Sequence, residues 1–418
     1  MSAKYLVGKP DAAFIQGSID LNGSKSISNR VLIIDALCNN QIEMRNLSNA
    51  DDTVFLQQIL KSDASVLDAG AGGTTYRFLT AYLSTQVGRE VVLTGTERMQ
   101  QRPIKILVEA LRKLGADIEY VNNEDYPPLK IKGKKLKGGK ISLPADTSSQ
   151  FITALLLIAP TLEQGLTLEL IGTIVSIPYI KMTLNIMSYF GIQSTFTDNV
   201  ILVKSGTYQP KPFFIEGDWS AASYFYAIAA MSEHAEIQLN GLTTQQIQGD
   251  SVIAKIAEKF GVQTTYNNNS AVLKKVPNHK QPSFLEYDFL ECPDLAQTVL
   301  TFCAALKSTV HCSGLQTLRI KETDRIAALD TELMKLGLAT LKEIKENKWT
   351  LNPIIIENKL LDNVSIATYE DHRMAMSFAP LALILKTITI EEPNVVTKSY
   401  PLFWNDLKKL GFSITIIP

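Results

Sequence analysis

Five times along this chain an amphipathic helical stretch closes on an apolar residue and a glycine, then runs directly into alternating residues. The copies are Leu111–Tyr120 (LRKLGADIEY), Met187–Phe196 (MSYFGIQSTF), Ala257–Tyr266 (AEKFGVQTTY), Leu333–Lys342 (LMKLGLATLK) and Leu407–Ile416 (LKKLGFSITI). Their glycines, Gly115, Gly191, Gly261, Gly337 and Gly411, recur every 70–76 residues, a longer period than that of solenoid repeats. A glycine in this place ends a helix in the left-handed conformation that L side chains resist. The alternation after it opens a strand with one covered face. Helix–glycine–strand is ordinary punctuation in an α/β protein, but near-constant spacing over five copies makes it a repeat. Leu56–Leu67, a helix feeding a strand without the glycine, reads as a sixth and degenerate copy. The expected fold is therefore α/β, with two similar domains of three repeated units each.

The junction between the halves is expected near Phe213–Ser220, where Pro210–Pro212 precedes a new apolar helix at Ala221–Met231. A second crossing is expected near Leu21–Gly23. This gives residues 1–22 with 217–418 as a discontinuous C-terminal-half domain and residues 23–216 as the N-terminal-half domain. A length of 418 residues accommodates two large domains.

Composition excludes several classes. Net charge is −1, which argues against a general binder of nucleic acid or membrane surfaces. Any anion site must gather its cations locally. No apolar run approaches the ~18–20 residues of a membrane span, and Met1–Pro10 lacks a signal-peptide layout. The four cysteines form no CxxC pair, and the four histidines have no metal-ligand spacing. The expectation is a reduced, cytoplasmic, monomeric protein with no metal or cofactor, bound to neither nucleic acid nor membrane and acting on small molecules.

The charged motifs gather at helix starts. In Leu318–Ile326 (LRIKETDRI), five ionisable residues precede the helical face Ile326, Leu329, Leu333 and Leu336. Thr323 or Asp324 is the natural N-cap, which clusters Lys321, Glu322 and Arg325 at an anion-favouring helix end. Gly23–Arg30 (GSKSISNR) opens another helix with Lys25, Ser26 and Arg30, although the P-loop pattern is absent. The glycine loop Ala69–Arg77 lets a ligand approach the backbone at Gly73 and places Thr74 beside it. Glu97–Pro103 carries Arg102. Asp146–Phe151 sets Ser148, Ser149 and Gln150 before a very apolar helix, polar groups that suit a hydroxylated ring. Ser176 and Tyr179 extend that patch, and Asp294, Glu370–Met376 with Arg373, and Lys398 follow. Each stretch alone reads as an ordinary capped helix. Together they read as many polar helix starts serving one anion site.

In this order GSKSISNR, GGTTYRF, QRPI, DTSSQF, IPYI, Pro293-Asp294, LRIKETDR, DHRMAM and TKSYP resemble the 5-enolpyruvylshikimate-3-phosphate synthase family over nearly the whole chain. That resemblance implies inside-out α/β barrel-like domains, helices inside and sheets outside, with the active site in the interdomain cleft. It also implies transfer of the enolpyruvyl group of phosphoenolpyruvate to the 5-hydroxyl of shikimate 3-phosphate, with release of phosphate. By position, Lys25, Ser26, Arg30, Ser148, Ser149, Gln150, Ser176, Tyr179, Asp294 and Lys321 are expected to contact shikimate 3-phosphate. Lys25, Gly73, Arg102, Gln150, Arg325, Arg373 and Lys398 are expected to hold phosphoenolpyruvate, with Thr74 also binding substrate. Catalysis falls to Asp294 as base for the hydroxyl, Glu322 as carrier of the carbon-bound proton, and Lys25 at the departing phosphate.

Four positions depart from the family pattern: Ala71 and Phe78 around the glycine loop, Ile177, and Thr317 where an asparagine is common. Retention of Gly73 implies sensitivity to glyphosate. The related UDP-N-acetylglucosamine enolpyruvyl transferases commonly carry a reactive cysteine on the loop matching Glu97–Arg102, and no cysteine lies between Cys38 and Cys292. An RNA-processing relative is disfavoured by the near-neutral charge, and a catalytically dead binder by the presence of every charged residue named above.

Overall fold

One sheet topology recurs through the chain. The computed structural model describes residues 3–144, 148–174, 177–354 and 364–418, and among them are five four-stranded sheets. Each has a parallel pair along one edge followed by two antiparallel strands. The strands of the first sheet lie in the order Val66–Asp68, Glu90–Thr94, Leu129–Lys132, Asp117–Tyr120. Helix Gly73–Ser84 connects the parallel pair, and helix Lys105–Lys113 leads to the closing hairpin. The second sheet, Gly139–Pro144, Leu166–Ile171, Val200–Val203 and Ser194–Thr197, repeats this with helices Ser149–Ile158 and Ile177–Tyr189. A third, Phe284–Asp288, Thr309–Ser313, Lys348–Pro353 and Ala339–Lys345, uses helices Ala296–Ala305 and Arg325–Lys335.

The other two sheets borrow strands from the start of the chain. Phe14–Asp20 pairs in parallel with His234–Asn240, beside Ser270–Lys275 and Val262–Asn267. Lys4–Gly8 lies between Thr387–Ile390 and Ser413–Ile417, antiparallel to both. The chain accordingly divides into two compact units, Met1–Asn22 with Glu216–Pro418, and Gly23–Ile215.

The sixth copy differs from expectation. Helix Asp51–Leu60 feeds Val66–Asp68, but that strand is the edge of the first four-stranded sheet. What corresponds to a sixth sheet is the two-residue parallel pairing of Met44–Arg45 with Phe213–Phe214. Without a hairpin after the helix there is nothing to widen it. The five repeat glycines all have positive φ, between 66° at Gly337 and 106° at Gly115, as the helix-to-strand turn requires.

Strands such as His234–Asn240 and Leu129–Lys132 alternate buried and exposed residues, leaving one face of the sheet in solvent. Several helices behave oppositely. Trp219–Met231, Ala296–Ala305 and His372–Phe378 are buried at every position, and so is Phe151–Ile158. A helix apolar on all sides is stable only when enclosed, and each buried Leu or Phe contributes roughly 1.5–3 kcal/mol. Polar side chains inside such helices, Ser223 and Thr301 among them, are buried as well, so chemistry is displayed at the helix ends.

One buried cation serves the scaffold. Lys275 Nζ donates to the carbonyls of Ala230 (2.7 Å) and Phe260 (2.8 Å) at the C-terminal ends of two helices. The negative dipole ends favour the ammonium, but burial pulls its pKa down to about 8. No helix among the described residues is long and apolar enough to cross a membrane.

Candidate active site

Arg325 organises the charged residues of the unit containing Glu216–Pro418. Asp324 is the N-cap of helix Arg325–Lys335, accepting from the amides of Ile326 and Ala327, both at 3.1 Å. That turns Arg325, the first helical residue, inward, where only 2% of its side chain is exposed. Its Nη2 lies 2.8 Å from Glu322 Oε2, its Nη1 3.1 Å from Asp294 Oδ1, and its Nε 2.6 Å from Asp371 Oδ2. The i, i+3 pair read from the sequence is therefore present, inside a larger network. The other oxygen of Glu322 accepts from Lys398 Nζ at 2.7 Å, so this carboxylate is held between two cations.

Asp294 is held similarly. It lies in the turn Pro293–Leu295 that leads into Ala296–Ala305, and that turn has no side-chain cap. Its Oδ2 is 3.2 Å from Arg373 Nη2, and Oδ1 faces both Arg325 and Lys321 Nζ at 3.9 Å. Burial alone would push its carboxyl upward, but Arg373, Lys321 and Arg325 outweigh this and hold it well below the usual carboxylate range. Arg373 also touches Ser220 Oγ (3.5 Å), which donates to Asp250. Asp250 is wholly buried, and desolvation with repulsion from Asp294 pushes it up to about 7. Arg325 moves the other way: burial opposes its charge, but Asp371, Glu322 and Asp294 raise its pKa. Every cation here faces a carboxylate, so an arriving anion competes with protein carboxylates for it and loosens them.

In the unit Gly23–Ile215, Ser24 caps helix Lys25–Leu37 and Lys25 Nζ lies 3.1 Å from Asp52 Oδ2. Arg30 is buried, donating to Thr183 Oγ1 (2.9 Å), Thr153 Oγ1 (3.3 Å) and the carbonyls of Ser26 (2.6 Å) and Tyr179 (3.4 Å). Its guanidinium carbon lies 5.6 Å from the Phe78 ring centre and 5.9 Å from that of Tyr179. Burial lowers its pKa to about 10.

Gly73 begins helix Gly73–Ser84. A Cβ placed on it would sit 2.5 Å from Arg102 Nη1 and 2.6 Å from Arg77 Nη1, so two guanidinium groups lie directly over this backbone. Ser148 caps helix Ser149–Ile158, accepting from the Gln150 amide at 3.3 Å. Gln150 Oε1 accepts from Arg77 (2.6 Å) while its Nε2 donates to Thr74 Oγ1 (2.9 Å), which fixes the amide. The glycine loop, Arg102 and the Ser148–Gln150 helix start are thereby one cluster, with Ser26, Arg30 and Tyr179 forming a second around the buried guanidinium. Ser176 lies outside the described residues.

Sequence reasoning missed the residues that hold these groups in place: Asp371 on Arg325, Asp52 on Lys25, Arg77 on Gln150, and Ser220 with Asp250 behind Arg373. Asp371 had a visible signal, as the N-cap of a wholly buried helix beside Arg373. The others act across sequence separations that no periodicity marks.

Comparison with known proteins identifies the family. The sequence profile of the family described as EPSP synthase (3-phosphoshikimate 1-carboxyvinyltransferase) matches residues 55–407. A 3-phosphoshikimate 1-carboxyvinyltransferase from Bacteroides fragilis (strain YCH46) is 49% identical over 414 residues, 99% of both chains. Another, from Aliivibrio fischeri (strain MJ11), is 37% identical over 426 residues, covering 95% of this chain and 97% of its own. The solved EPSP synthase of Acinetobacter baumannii shares the fold, with a TM-score of 0.78 at 21% identity over 99% of this chain and 100% of that one. With most of its length matched by the profile and nearly all of it by such relatives, the chain belongs to the EPSP synthase (3-phosphoshikimate 1-carboxyvinyltransferase) family.

Proposed function

We propose that this protein transfers the enolpyruvyl group of phosphoenolpyruvate to the 5-hydroxyl of shikimate 3-phosphate, releasing phosphate, on the shikimate route to chorismate and the aromatic amino acids. Family membership supports the reaction. The observation that supports the roles is that Asp294 and Glu322 are each held among cations rather than at the protein surface. We read each unit as the inside-out α/β barrel of this family, and the two sets of side chains as serving one reaction.

Both substrates are polyanions, and gathering them needs several fixed cations in a site poor in water. Shikimate 3-phosphate is assigned to Lys25, Ser26, Arg30, Ser148, Ser149, Gln150, Ser176, Tyr179, Asp294 and Lys321. Phosphoenolpyruvate is assigned to Lys25, Gly73, Thr74, Arg102, Gln150, Arg325, Arg373 and Lys398. As their phosphates and carboxylate take up Lys321, Arg325 and Arg373, Asp294 loses the partners that depress its pKa and becomes a better base. It then takes the proton of the 5-hydroxyl as that oxygen adds to C2 of phosphoenolpyruvate. Glu322 delivers a proton to the methylene carbon, giving a tetrahedral intermediate, and afterwards removes one from the resulting methyl group. Phosphate leaves from C2 with Lys25 neutralising or protonating it, and the double bond is restored.

The test is phosphate release from phosphoenolpyruvate with shikimate 3-phosphate, compared with UDP-N-acetylglucosamine as acceptor. Release only with the sugar nucleotide overturns the assignment. Tight binding without turnover would mark a dead binding protein.

A further inference from the structure

The turn that delivers Asp371 and Arg373 has an unusual backbone. Thr368–Asp371 is closed by a hydrogen bond from the Asp371 amide to the Thr368 carbonyl at 2.9 Å. Both central residues are left-handed, Tyr369 at φ 54° and Glu370 at φ 57°. Turns with that sign at both positions are normally made by Asn, Asp and Gly, because other side chains are disfavoured there. Two such residues in succession persist only where the surroundings hold them.

The surroundings are supplied by the helix that begins with Arg325. Tyr369 Oη donates to Glu332 Oε1 at 2.8 Å, and Glu332 Oε2 accepts from Lys335 Nζ at 2.6 Å. Lys335 Nζ also donates to the carbonyl of Ser365 at 2.9 Å, on the short strand Ser365–Ile366 that enters the turn. Glu332 is 1% exposed, and a carboxylate that deep is costly to bury unless its oxygens are engaged. Helix Arg325–Lys335 therefore grips the same segment at both ends. Its first residue bonds Asp371, and its last turn bonds the tip and the entrance of the turn before Asp371.

We infer that Tyr369 and Glu332 form a latch that keeps this turn in its left-handed shape, and so are positioning residues that aim Asp371 at Arg325 and Arg373 at Asp294. Released, the turn relaxes towards negative φ and carries the start of helix His372–Phe378 with it. Arg373 then no longer meets phosphoenolpyruvate in the right place. The inference rests on the reaction proposed above for its kinetic readout, but not for its structural one.

The experiment uses Tyr369→Phe, Glu370→Gly and the double variant in the full-length protein. Tyr369→Phe should raise the KM for phosphoenolpyruvate about tenfold, with a smaller change in that for shikimate 3-phosphate. Glycine takes positive φ without strain, so adding Glu370→Gly should bring the KM back to within about threefold of wild type. A latch that merely supported stability would lower the melting temperature without this split or rescue. Hydrogen exchange at the Arg373 amide, which donates to Asp371 Oδ1 at 2.9 Å, should be faster in Tyr369→Phe than in wild type. Unchanged exchange, an unchanged KM for phosphoenolpyruvate, or a raised KM that glycine fails to lower overturns the latch. A wild-type protein without turnover overturns the reaction instead, and the exchange measurement still decides the latch.

Discussion

Arg30 lies against the face of Phe78, 5.6 Å from guanidinium carbon to ring centre, in a setting where, among the described residues, its hydrogen bonds run to hydroxyls and carbonyls. A buried cation balanced by neutral oxygens gains more than usual from an aromatic face, about 2 kcal/mol when desolvated. Phe78 stands where the family pattern has proline. Phe78→Leu keeps apolar bulk and removes the ring, so the KM for shikimate 3-phosphate should rise roughly tenfold while that for phosphoenolpyruvate stays nearly constant. Steady-state kinetics with each substrate varied in turn check this, and an unchanged shikimate 3-phosphate KM would remove Phe78 from the account.

Asp294→Ala and Glu322→Gln should each lower kcat by about a hundredfold or more in a folded protein. Near-wild-type turnover would take the altered residue off the catalytic list. Asp294 also predicts an acid effect. Its folded pKa is depressed, so its contribution to stability is present above the ordinary carboxyl value and fades as pH falls towards the depressed one. Asp294→Asn should flatten that part of the acid-unfolding profile, measured by urea titration at several pH values.

Gly73 carries the inhibitor prediction. Wild type should be inhibited by glyphosate below millimolar concentration, and a flat inhibition curve to that level would contradict the reading. In Gly73→Ala the new methyl group meets the guanidinium groups of Arg102 and Arg77 at 2.5–2.6 Å, contacts that force both to move. Glyphosate inhibition should weaken by about tenfold or more, and the KM for phosphoenolpyruvate should rise, because the displaced Arg102 is among the groups proposed to hold phosphoenolpyruvate.

Lys275 gives a prediction of the same sign at the alkaline end of the pH range. Its folded pKa of about 8 lies below the ordinary lysine value. Between the two values the unfolded chain binds more protons, so the cost of burying this ammonium is relieved as pH rises through that window. The unfolding free energy of wild type relative to Lys275→Met should therefore increase from pH 8 to about pH 10. A difference independent of pH would mean that Lys275 titrates as a solvated side chain.

Local chemistry made much of this legible in the sequence. The repeat glycines announced their turns because only one backbone shape serves a helix ending in a strand there. Asp324 and Ser148 announced helix starts because their side chains accept from amides two or three residues ahead. Glu322 beside Arg325 followed from their spacing of three, although Glu322 lies just before the helix that Arg325 begins. The partners that arrive from elsewhere were not legible. Asp371 reaches Arg325 from 46 residues away and Arg77 reaches Gln150 across 73, and neither pairing leaves a periodic trace. The sixth repeat was over-read for a related reason. A helix feeding a strand looks the same in sequence whether the strand belongs to its own sheet or, like Val66–Asp68, to the next.

The placement of Lys4–Gly8 between two strands from the far end of the chain sets the timetable of synthesis. That segment is made before Gly23–Ile215, yet both edges it must pair with, Thr387–Ile390 and Ser413–Ile417, are made after it. Residues Gly23–Ile215 are complete long before, and domains fold as units while the chain grows. The nascent protein thus carries a finished insertion behind an unpaired leading strand, and the last sheet closes only when the final repeat is released. Pulse-labelled nascent chains should show protease resistance in the insertion before the leading strand is protected.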